Sequence, residues 1–184
     1  MLRNSDRSWG ALARLLHWTL AALVFAQMAL GWAAASWRLS PMKLDLFVWH
    51  KSAGMLILAL TIVRLGWRLA NPVPALPGGM PRWERRAARA SHAALYLLAF
   101  MMPLSGWVVS SAAGVPFRLF WLLAVPAIAA PDKAVADAAA SVHLALFVVL
   151  SLLLCVHVGA ALRHHYLQHS DVLSRMLSGR GVVE

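Results

Sequence analysis

The chain has 184 residues, of which 61% are hydrophobic and 13% charged, and its formal net charge is +10. A soluble domain carries about 25% charged residues, so a water-facing globular core is excluded. The chain reads as an all-α, integral membrane four-helix bundle. About 20 apolar residues cross about 30 Å of hydrocarbon, which leaves room for about four spans and no separate soluble domain. The expected architecture is one membrane domain over residues 1–184, with spans at about 12–35, 46–68, 90–112 and 139–165. In a soluble protein the positive charge would suggest nucleic acid. Here the Arg and Lys residues flank apolar spans and report membrane orientation, so the partner surface is lipid and no nucleic acid is expected.

The first apolar stretch, Leu15 to Ala35, follows Arg3, Arg7 and Arg14 and carries His17 within its first turns. A signal-peptide apolar region is about 7 to 15 residues long, so this longer stretch reads as a retained first span. The second span, Leu46 to Trp67, opens with His50 and Lys51. The Lys51 side chain is long enough to snorkel to the interface. Gly54 lies one turn after His50, where the missing side chain would leave space for a flat ligand, or for close helix packing. Arg64 is fourteen residues beyond His50 and falls on the same helix face. It serves either a cofactor carboxylate or, beside Arg68, membrane topology.

Prolines at 72, 74, 77 and 81 break the helix in Asn71–Pro81, because each lacks a backbone donor and disfavours helix in the preceding residue. Arg82, Arg85, Arg86 and Arg89 follow, then a third span from about Ala90 to Ala112 with His92 at its start. Pro103 is expected to kink this span, and Gly106 to permit close approach. Val115 to Pro131 is apolar but cut by Pro116, Pro126 and Pro131, too short to span, and reads as an interfacial lid. Asp132 to Ala140 reads as a helical lead-in, with Asp132 favourable at a helix N-terminus.

The fourth span carries the pattern that organises the rest. From Val142 to Leu162 there is no Lys, Arg, Asp or Glu, yet His143 and His157 interrupt the apolar run. Fourteen residues is close to four turns, so both imidazoles share one face roughly 21 Å apart along the axis. A histidine inside a span is costly to bury alone and by default faces a partner in the bundle interior. Cys155 is the only cysteine. That excludes a disulfide framework, a thiolate cluster and C-x-x-C-H haem attachment, so any haem is non-covalent and b-type.

Counting Lys and Arg on each side gives twelve residues (3, 7, 14, 64, 68, 82, 85, 86, 89, 163, 175, 180) against five (38, 43, 51, 118, 133). The positive-inside tendency then puts both termini in the cytoplasm of a multi-pass protein. His17 and His157 fall toward the cytoplasmic surface, and His50 and His143 toward the outer one. Two histidines at one depth suit bis-imidazole ligation of haem iron, which favours electron transfer over oxygen binding. His92 competes with His17 as partner of His157; His17 is preferred because it sits deeper in its span. A metal transporter fits less well, since zinc or copper would want three or four converging ligands and no Asp, Glu or Cys accompanies the pairs.

The sequence resembles the bacterial di-haem cytochrome b561 proteins, relatives of the cytochrome b subunits of nickel-iron hydrogenases and formate dehydrogenases. The resemblance rests on His17-Trp18, His50 with Gly54, Arg64, Arg68, the Asn71-Pro72-Val73-Pro74 exit, His92, Pro103 with Gly106, the His143 and His157 pair, and His164-His165-Tyr166. It implies two haem b groups in a bacterial inner membrane, one between the first and fourth spans and one between the second and fourth. It also implies quinone as electron partner and, in one member, oxidation of superoxide. The expected function is therefore a quinone-linked oxidoreductase or electron carrier, with His17, His157, His50 and His143 on iron. Arg64 is the expected propionate partner. The alternative is the cytochrome b anchor of a larger hydrogenase or dehydrogenase, reduced by a partner redox subunit.

Overall fold

In a computed structural model, which describes residues 1–6, 8–76 and 79–178, four long helices carry most of the chain. They are α1 (Ala11–Ser36), α2 (Pro41–Leu69), α3 (Arg82–Ala112) and α4 (Lys133–Tyr166); α5 is a short helix at Val172–Leu177. All four long helices are apolar enough to cross a membrane, and the shortest has 26 residues, about 39 Å at about 1.5 Å per residue. Arg7 and Arg180 of the topology count, and Pro77-Gly78 of the proline-rich connection, lie outside the described residues.

Local chemistry sets the helix ends. Pro41 opens α2 where its missing N–H has no intrahelical partner to lose. The Lys43 N–H donates to Ser40 Oγ at 3.4 Å, a side-chain cap on the same turn. Asp132 caps α4, its Oδ1 accepting the Val135 N–H at 3.1 Å. Pro103 lies inside α3, which stays helical on both sides of it.

The burial pattern inverts that of a water-soluble protein. Val142, Leu144, Val148, Leu152 and Val156 on α4 are between 48% and 64% exposed. An apolar face of that extent belongs against lipid. Ser52 and Thr61 on α2 are the largest fully buried side chains. Small and hydroxyl residues are what lets membrane helices approach closely and pair their polar groups.

The chain divides into two compact units, each drawing one stretch from every long helix: Met1–Thr19, Ile62–Leu97 and Leu150–Glu184 in the first, Leu20–Thr61 and Leu98–Val149 in the second. In the first unit the terminal segments are tied down. Asn4 donates to the Pro72 carbonyl at 3.0 Å and accepts the Gly10 N–H at 2.9 Å. Arg14 and Trp18 of α1 donate to the carbonyls of Leu177 and Met176 at 2.8 and 3.0 Å, capping the end of α5. Glu84 is buried and accepts from Arg163 at 3.0 Å, with His164 Nε2 at 3.8 Å.

In the second unit the apolar stretch read as a lid forms a two-stranded hairpin. The strands β1 (Arg118–Leu119) and β2 (Leu123–Ala124) pair antiparallel. Phe120 and Trp121 at its turn adopt φ of 46° and 63°, a region that bulky residues rarely enter. The hairpin is pinned to α2: the Phe120 N–H donates to buried Ser52 Oγ at 2.8 Å. Both turn rings meet Trp49 edge-on, at 5.5 and 5.4 Å.

Candidate redox site

Within the second unit α2 and α4 bring His50 and His143 together, with ring centres 6.3 Å apart and planes at 80°. Within the first unit α1 and α4 bring His17 and His157 to 6.4 Å and 70°. Imidazole nitrogens bind a metal at about 2.0–2.1 Å, and the ring centre lies about 1.1 Å behind the nitrogen, so two imidazoles on opposite sides of one iron need centres about 6.3 Å apart. Both separations meet that requirement. His92 of α3 also approaches His157, but at 5.5 Å, which is too close for an iron between the rings. Among the described residues no group of three or more His, Cys, Asp or Glu is placed to hold a metal ion. Each couple has the spacing that two imidazole ligands of one iron would need.

Space beside the rings comes from glycine. A Cβ on Gly31 of α1 would lie 2.6 Å from His50 Cε1, and one on Gly106 of α3 would lie 3.2 Å from His143 Cε1. Any side chain at position 31 would displace the imidazole. A Cβ on Gly54 would meet the Gln27 amide nitrogen at 3.4 Å. That is close helix packing.

Hydrogen bonds orient the rings. Ser105 Oγ of α3 donates to the Met102 carbonyl at 2.9 Å and lies 2.8 Å from His143 Nδ1. A hydroxyl has one proton, which goes either to the Met102 carbonyl or to Nδ1; when it goes to Met102, Ser105 accepts from Nδ1–H. In that arrangement the Nε2 lone pair is free, the state a metal ligand requires. Gln27 of α1 donates from Nε2 to the His50 carbonyl at 2.6 Å. Neither Ser105 nor Gln27 was singled out in the sequence. Gln27 carried a usable signal, a side-chain amide within an apolar span.

Arg64 lies in the first unit. Its Nε donates to the Tyr96 hydroxyl at 3.0 Å, and the guanidinium groups of Arg64 and Arg68 stand 5.9 and 5.8 Å from the Tyr96 ring centre. Among the described residues neither has an ion-pair partner, and the buried Arg64 Nη1 has no hydrogen-bond partner. Arg64, Arg68, Tyr96, Trp67, Trp9 and Asn4 help line a cavity of about 10 Å3, room for about one water-sized group. Two uncompensated guanidinium groups at one place suit an anion. In each unit the paired imidazoles stand at a distance that fits a haem iron; in the first unit the arginine pair also suits carboxylates.

The match to the family model of prokaryotic cytochrome b561 runs over residues 8–179. Cytochrome b561 homolog 2 of Escherichia coli (strain K12) is 36% identical over 181 residues, covering 95% of this chain and 93% of that protein. Cytochrome b561 homolog 1 of the same strain is 27% identical over 169 residues, covering 90% and 94%. A Yersinia pestis protein named "Probable superoxide oxidase CybB" is 28% identical over 128 residues, covering 70% and 72%. With nearly the whole chain matched by the family model and four helices able to span a membrane, this chain belongs to the prokaryotic cytochrome b561 family, the membrane cytochromes with b-type haem.

Proposed function

We propose that the protein is a di-haem electron carrier of the bacterial inner membrane that exchanges electrons with quinone, and that superoxide is its electron donor. The observation that carries this reading is the pair of imidazole couples, at 6.3 and 6.4 Å, one in each compact unit. His50 with His143 and His17 with His157 are the proposed ligands, and Arg64 the proposed propionate partner. A haem iron held by two imidazoles supplies one-electron transfer with no open coordination position.

The chain's own residues supply the rest. Ser105 fixes the tautomer of His143, the glycines at 31 and 106 clear space, and the apolar helices exclude water. Quinone reaches the cofactors from the bilayer. In the proposed reaction two superoxide anions each give up one electron and leave as oxygen, and one quinone takes both electrons with two protons. Lys43, Lys51, Arg118 and Lys133, assigned by the charge count to the outer side, would draw the anion in, so the reaction should slow as salt rises.

A pyridine haemochrome assay on well-loaded protein is expected to give two b haems per chain. Stopped-flow mixing of the oxidised protein with superoxide, and separately with quinol, is expected to reduce them. One haem or none would reject the two-pair arrangement. Haems that neither partner reduces would reassign the protein as the membrane anchor of a larger dehydrogenase.

A further inference from the structure

We propose that Gln27 is the positioning residue of His50, accepting the Nδ1–H of that imidazole when its Nε2 serves as a ligand. The inference rests on the di-haem reading above. Among the described residues of the second unit, two buried side-chain polar atoms lack a hydrogen-bond partner: His50 Nδ1 and Gln27 Oε1. One is a ring nitrogen and the other an amide oxygen, which can only accept. The two side chains already meet, because Gln27 Nε2 donates to the His50 carbonyl at 2.6 Å. One helical turn beyond Gln27, Gly31 receives the imidazole itself, with Nδ1 3.0 Å from the place a Cβ would take. α1 therefore presents an acceptor and a clearance to the same histidine.

Ligation decides which proton the ring keeps. If Nε2 gives its lone pair to a metal, the ring proton must sit on Nδ1 and needs an acceptor. His143 has its acceptor in Ser105. The His50 ring lies near the Gln27 main-chain carbonyl, and Gln27 Oε1 is the unpaired side-chain acceptor beside it; an amide oxygen left unpaired inside a membrane span is disfavoured. Closing this bond satisfies both atoms at once. It also makes His50 the more basic ligand, which stabilises the oxidised iron.

The test is an anaerobic redox titration of purified holoprotein, following the haem that His50→Ala removes. Gln27→Leu deletes the acceptor and is expected to raise that haem's midpoint potential. Gln27→Glu strengthens the acceptor and is expected to lower it, while the other haem is unmoved in both. A role limited to the Nε2 contact with the His50 carbonyl predicts otherwise, since both variants lose that donor and should behave alike. Shifts of the same sign, or none, overturn the proposal. If Gln27→Leu fails to retain the haem while Gln27→Glu keeps it, the acceptor role is supported; if neither keeps it, the role is rejected. A wild-type protein with no haem at this pair would overturn the di-haem reading and this inference together. A normally loaded wild type with unresponsive variants would sink the inference alone.

Discussion

At the scale of single residues, His17, His92 and His157 of the first unit separate by distance. His17 and His92 both face His157, at 6.4 and 5.5 Å, and the longer spacing alone leaves room for an iron between the rings. His17→Ala and His157→Ala are each expected to leave one haem per chain by pyridine haemochrome, and His92→Ala to leave two. Loss of a haem in His92→Ala with both retained in His17→Ala would reverse the assignment. Arg64 offers a second measurement. Its buried Nη1 has no hydrogen-bond partner, and among the described residues no carboxylate pairs with Arg64 or with Arg68, which shares the Tyr96 ring. Arg64→Gln removes a positive charge and should therefore stabilise the oxidised form of the haem proposed between His17 and His157. Its midpoint potential is expected to fall by an amount corresponding to about 1 kcal/mol, roughly a few tens of millivolts for a one-electron couple. An unchanged potential and occupancy would leave Arg64 as a topology residue.

At the scale of elements, the hairpin of β1 and β2 is held by what it touches more than by its own sequence. Its turn places Phe120 and Trp121 at positive φ, where asparagine or glycine would sit without strain. The aromatic pair contacts with Trp49 and the hydrogen bond to Ser52 offset that cost. Ser52 is 0% exposed, so Ser52→Ala leaves the Phe120 N–H without its partner. Thermal unfolding in detergent is expected to show a loss of about 1–2 kcal/mol. Retained stability would mean that the ring contacts alone hold the turn. The same logic explains why an apolar, proline-cut stretch did not announce a hairpin: none of its turn residues, Phe120, Trp121 and Leu122, is one that a tight turn selects.

At the scale of the whole molecule, the exposed apolar faces and the buried Ser and Thr residues on α2 make lipid the solvent of the four long helices. The charge count then predicts which side each terminus occupies. In a Cys155→Ser background, Arg38→Cys is expected to react with a membrane-impermeant thiol reagent applied outside intact spheroplasts. Arg3→Cys should react only after lysis. The opposite labelling would invert the topology and with it the side on which each histidine pair lies.

The sequence by itself determined that the chain crosses a membrane on four helices, because long runs free of charge have no other stable home. It also isolated the histidines, since an imidazole in such a run stands out chemically. It could not say which neighbour each histidine meets. Helices that are apolar nearly all round carry no amphipathic stripe to mark the inner face, because lipid and bundle interior are both apolar. Tertiary packing alone decided that Gly31 on α1 clears space for His50 while Gly54 packs against Gln27. It alone aimed Ser105 at His143, and Gln27 at His50. Those pairings join residues far apart in the chain, and only the packed helices bring them within hydrogen-bond reach.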